Sequence, residues 1–242
     1  MKLLDILNGI FGITFIIISF VLGIFVALKY RKNKNPHFIF MGATLLLLTA
    51  GWYGTSLSFL VALIFQNQGL SIEVILLVNF IPFPISLITW MYFYSDLILL
   101  RYPKKYILGA IIGYVIFFYI IFFSIVFTNA DFVAVKLSPV DTSGKNWILN
   151  SFIVVYVLLF FITGLKFSID TMKLDDFEMQ LRGKFLLVAF PSFTIAGLLD
   201  SILPNSTFTL ILRIILISSI IEFYLGFVLP KWIKRRAKKP NN

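Results

Sequence analysis

Uncharged apolar runs, each long enough to cross a bilayer, alternate along this chain with short polar segments. Seven such runs lie at roughly 6–28, 38–61, 74–99, 106–128, 147–165, 185–203 and 208–230. A run of about 18 or more apolar residues with few charges is the length of a membrane span. Inside hydrocarbon the backbone groups of a span must be hydrogen-bonded within it, so each run is expected to be a helix. The pattern therefore predicts an all-α polytopic membrane protein: a single seven-helix bundle over 1–230 and a basic tail over 231–242. The first run is too long for the apolar region of a leader, has no small-residue cleavage site and leads directly into "KYRKNKNPH". It reads as a retained helix.

The polar segments set the orientation. Seventeen Lys and Arg residues fall in the first, third and fifth connections and the tail, while only Lys2, Lys136 and Lys145 fall on the opposite side. The positive-inside rule then predicts an outside N-terminus and a cytoplasmic C-terminus in a cell-membrane protein. Composition agrees with this: 60% of the 242 residues are hydrophobic, 13% are charged, and the mean hydropathy is +0.96. The net charge of +10 lies beside the spans, so it points to the lipid surface and not to nucleic acid. With no cysteine and a single histidine, His37, the chain has no disulfide, no thiolate site and no multi-histidine metal cluster.

The longest cytoplasmic segment is 166–184, "KFSIDTMKLDDFEMQLRGK". Leu174, Phe177 and Leu181 recur at helical spacing, and Glu178–Arg182 is a favourable i,i+4 pair. The segment reads as a helical extension of span five or six, or, with the basic tail, as a docking surface for a cytoplasmic partner. "TAGWYGTS" (49–56) and "IAGLLDSI" (195–202) share Ala-Gly, and "FYSDLILLRY" and "FYLGFVLPKW" share Phe-Tyr before a basic exit. These matches outline a faint parallel 3+1+3 repeat of the kind some transporters use.

Candidate chemistry sits in four places. Asp200 and Arg213 each lie about one turn from the end of adjacent spans joined by "PNST", so they should share a depth and form an ion pair; Arg213 is also a candidate anion or zwitterion site. Glu222 is nine residues past Arg213, half a turn out of phase and deeper. It is a candidate proton- or ligand-responsive carboxyl, or one hydrogen-bonded across helices. Pro82 and Pro84 each lack an amide donor and crowd the carbonyls of Val78 and Phe80. Span three should bend or unwind between Val78 and Ser86, opening a cavity lined by Asn79, Trp52 and Tyr53. In span two, Ala50, Gly54 and Ser58 form a small-residue stripe suited to close helix packing. "NST" at 205–207 matches a glycosylation acceptor, set close to the membrane.

Seven helices with the N-terminus outside resemble microbial rhodopsins and G-protein-coupled receptors in topology. Span seven has no lysine for a retinal Schiff base, and the chain lacks the receptor signatures around spans three and seven, so neither cofactor nor activity carries over. There is no Gly-x-Ser-x-Gly, no His-Glu-x-x-His and no paired-aspartate motif, so an enzyme is not expected. Three functional classes remain: a receptor or sensor for a small or apolar ligand in an outward-facing cavity, a small-solute transporter, and a structural or scaffold membrane protein.

Overall fold

The computed structural model describes residues 1–99, 102–203 and 207–237. Arg101, residues 204–206 of the "PNST" connection and glycosylation sequon, and Lys238 and Lys239 of the tail lie outside the described residues. Among the described residues, seven helical segments are long and apolar enough to cross a membrane, which makes the chain a multi-pass integral membrane protein of the all-α class. Span one is α1 (Leu3–Asn33). Span two is α2 (His37–Leu48), a 3-10 turn at Thr49–Trp52, and α3 (Tyr53–Phe65). Span three is α4 (Ile72–Phe80) and α5 (Ile85–Leu97). Spans four to seven are α6 (Lys104–Asn129), α7 (Trp147–Met172), α8 (Phe177–Ile202) and α9 (Thr207–Val228), followed by α10 (Lys231–Ala237).

Between α6 and α7 the chain forms an antiparallel hairpin, β1 (Ala134–Ser138) and β2 (Asp141–Gly144), which the apolar pattern did not announce. It lies on the face of the bundle that carries the N-terminus. Lys136 ties it down by donating to the carbonyls of Gln68 and Leu70, the latter at 2.6 Å, in the connection between spans two and three. Partial burial pushes the Lys136 ammonium down from its ordinary pKa.

The two broken spans have separate local causes. In span three, the last regular bond of α4 is from Ile81 N–H to the Leu77 carbonyl at 3.0 Å, and the chain turns through 81–84 before α5 restarts. Pro82 and Pro84 bring no donors, and the Ile81 carbonyl left free is taken by the hydroxyl of Tyr119 on span four. In span two, the hydroxyls of Thr49 and Tyr53 both donate to the Leu46 carbonyl. Side chains that compete for a helix carbonyl loosen the ladder, and here it tightens into a 3-10 turn.

The breaks lie against each other. Gly54, just past the first, donates its N–H to Asn79 Oδ1 at 2.5 Å, just before the second. A side chain at Gly54 would run into the Ile75 carbonyl, so glycine is what allows α3 and α4 to approach. Ala50 and Ser58 of the same stripe are fully buried, in keeping with a packing role.

The C-terminal half of the bundle is closed by aromatic packing. Trp90 is buried among Phe93, Phe160, Phe167 and Phe190, with ring centroids 5.2–5.8 Å away, and its indole donates to Thr163 Oγ1 at 2.8 Å. Phe223 and Phe227 of α9 extend this cluster.

At the C-terminal face, 166–184 is the continuous end of α7, a four-residue turn, and the start of α8, N-capped by Asp176 Oδ1. The two side chains of the expected Glu178–Arg182 pair are used elsewhere. Glu178 pairs with Lys234 of α10, and Arg182 donates to the carbonyls of Phe227 and Val228 at 3.1 and 3.4 Å. A cation capping orphaned carbonyls at a helix C-terminus gains more than it would in an exposed pair.

Candidate functional site

A cavity of about 490 Å³ opens in the N-terminal half of the bundle, at the two helix breaks. Its walls come from spans two to seven and from the hairpin. Phe80, Phe83, Phe118, Phe122, Phe160 and Phe193 make it largely aromatic, whereas Asp141, Thr142, Ser143 and Asn150 make its hairpin side polar. Sites of roughly 300–1,000 Å³ with apolar walls and a few convergent polar groups are the usual form of a small-molecule pocket.

Four spans meet at a polar node in the inner wall. Arg213 Nε on span seven lies 3.7 Å from Asp200 Oδ1 on span six, and the two side chains are 5% and 8% exposed. Trp52 of span two donates its indole N–H to Asp200 Oδ2 at 2.7 Å. Arg213 Nη1 donates to the Asn8 carbonyl of span one. Gly12 makes room for this guanidinium, since a Cβ there would stand 3.3 Å from Nη1 and 3.0 Å from Ser56 Oγ. The pair expected from matched depth is thus formed, at ion-pair distance and without a direct hydrogen bond between the two charges.

The candidate lining residues divide. Trp52, Asn79 and Arg213 border the cavity together with Asp200. Tyr53 does not, because neighbouring helix residues point about 100° apart and Trp52 takes the inward direction. The Tyr53 ring packs against Phe20 at 5.5 Å, and its hydroxyl is spent on Leu46. Pro82 and Pro84 shape the backbone but do not border the cavity; Pro84 touches only a separate recess, and Phe83 between them supplies the side chain.

Glu222 lies away from the cavity. It accepts from Ser218 Oγ at 2.9 Å on its own helix, not across helices, while its other carboxylate oxygen is buried without a hydrogen bond among the described residues.

Two contributors escaped the reading from sequence. Thr194 borders the cavity, is 7% exposed, and its hydroxyl makes no hydrogen bond among the described residues. Asn8 is completely buried and joins the node through its backbone carbonyl, a group that residue type does not announce; both atoms of its side-chain amide are buried without a hydrogen bond among the described residues. Compared with known protein families, curated proteins and solved structures, the chain matches none of them.

Proposed function

We propose that this chain is a receptor- or sensor-like membrane protein that binds a small or apolar ligand in an outward-facing cavity and signals through its cytoplasmic loops to a separate partner. The observation that carries this reading is a ligand-sized aromatic cavity that ends, toward the C-terminal face, on the packed cluster around Trp90. A pocket stopped by a solid core suits detection better than passage. The two helix breaks border the cavity and are bonded to each other through Gly54 and Asn79, so occupancy bears directly on the backbone of spans two and three.

The transporter reading draws on the same breaks. A parallel 3+1+3 arrangement calls for matching features in corresponding spans. The breaks in spans two and three have no counterpart in α8 and α9, which run uninterrupted. A scaffold would need neither cavity nor polar node.

The deciding experiment uses purified protein in nanodiscs and in proteoliposomes. A panel of small apolar compounds should raise the unfolding temperature of the wild type. Gly197→Trp, which fills the cavity beside Trp52, should abolish that response, and no compound should be carried across the vesicle wall. Flux of any stabilising compound would favour the transporter instead.

A further inference from the structure

The charge class of the ligand follows from the lining, on the premise of the ligand-binding reading above. Among the described residues, three charged side chains border the cavity: Asp141 on the hairpin, and Asp200 and Arg213 at the inner wall. Each is already engaged. Asp141 Oδ1 accepts from the Thr142 amide at 3.0 Å. Arg213, the only cation in the lining among the described residues, faces Asp200 at 3.7 Å and donates to the Asn8 carbonyl. Asp200 in turn holds Trp52.

An anionic ligand would have to draw Arg213 away and strand a buried carboxylate, a loss that one new ion contact does not recover. A cationic ligand that paired with Asp200 would have to do the same to the guanidinium. Neutral hydrogen-bonding groups are what the wall has to spare. Thr194 lies among aromatic side chains, and its hydroxyl is buried without a hydrogen bond among the described residues. A threonine inside a membrane helix normally satisfies itself on its own backbone.

We infer that the cavity takes an uncharged amphiphile, an aromatic or apolar body with a neutral hydrogen-bonding head such as an amide, and that Asp200 acts as the charge selector by neutralising Arg213. The amide head reaches Thr194, and the ring lies among the phenylalanines. Asp200 sets what is refused and Thr194 what is accepted.

Three probes that share one ring and differ in head charge test this: phenylacetamide, phenylacetate and phenethylamine. Binding to the full chain in phosphatidylcholine nanodiscs is read from tryptophan emission, since Trp52 borders the cavity, with empty nanodiscs correcting for partition. Phenylacetamide should bind at least about ten-fold more tightly than either charged probe, the scale expected when a charge enters an apolar site without a free partner. Asp200→Asn leaves Arg213 uncompensated and should turn the order in favour of phenylacetate. Thr194→Val should weaken phenylacetamide and leave the two charged probes unchanged. The wild-type order requires no variant to fold. If phenylacetate equals or exceeds the amide on the wild type, or if folded Asp200→Asn keeps the original order, the charge assignment is wrong while the cavity stands. If no probe binds, or if the rise in unfolding temperature that a probe causes survives Gly197→Trp, the cavity reading falls and this inference with it.

Discussion

The indole N–H of Trp52 reaches Asp200 Oδ2 across 2.7 Å and fastens the last residue of the 3-10 turn in span two to span six. Trp52 also packs edge-on against Phe15 of span one at 5.2 Å and Phe193 of span six at 6.2 Å. One side chain therefore connects the cavity, the ion pair and the break. Trp52→Phe keeps the packing and removes the donor. It should destabilise the protein by about 1–3 kcal/mol, the cost of leaving a buried acceptor unsatisfied, measured by unfolding in mixed micelles. Wild-type stability in this variant would mean that the bond contributes nothing.

Asp200 and Arg213 should behave as a unit. Each single replacement by Ala leaves an uncompensated buried charge, at about 3–5 kcal/mol, and the double replacement should cost clearly less than the two summed. A double-mutant cycle on the same unfolding assay measures the coupling. Strict additivity would remove the pair, and with it the account of a neutralised Arg213.

Span three owes its break to two prolines. Pro82→Ala with Pro84→Ala restores both amide donors, so α4 and α5 should fuse into one helix. Hydrogen exchange over residues 81–86 should slow, and probe binding should weaken because Phe83 turns away from the cavity. Unchanged exchange would assign the break to tertiary packing.

The contact between α3 and α4 tolerates no side chain at position 54. Gly54→Ala drives a Cβ into the Ile75 carbonyl and strains the bond to Asn79, which should cost about 1–3 kcal/mol and lower the unfolding temperature. Gly109, with open space around it, is the control: Gly109→Ala should not destabilise the protein.

Orientation is testable without background, because the chain has no cysteine of its own. Cysteines introduced at Lys34 and Asn67 lie at opposite ends of span two. An impermeant thiol reagent on intact cells should label Asn67→Cys and leave Lys34→Cys unlabelled until the cells are opened. The reverse pattern would invert the bundle and turn the cavity toward the cytoplasm.

The seven spans were legible because hydropathy acts on every residue of a helix in lipid, and errors at single positions average out. The break in span three was legible because proline acts locally through its own missing donor. The break in span two was not. It arises from two hydroxyls, Thr49 and Tyr53, reaching one carbonyl, and neither residue type breaks a helix by itself. The hairpin was missed because its strands have five and four residues, and the single alternating stretch, Val135 to Ser138, faces a second strand with no apolar residue, which leaves too little periodicity to read. Depth alone paired Asp200 with Arg213, since only four residues separate α8 from α9. Depth could not bring in Asn8, which joins the same node from the far end of the chain, or turn Tyr53 away from the cavity. Those outcomes depend on helix rotation, which hydropathy leaves undetermined when apolar residues surround the whole helix.

The two hydrogen bonds of Lys136 give the hairpin a consequence in time. For a molecule that enters past β1 and β2, arrival and departure both wait on the same latch, so weakening the latch speeds both by one factor and leaves the dissociation constant where it was. A site of that kind responds to the average composition of its surroundings over the latch's opening interval and passes over shorter fluctuations. Where a ligand takes that route, Lys136→Met should raise the association and dissociation rates together and leave the dissociation constant unchanged, which stopped-flow tryptophan emission would measure.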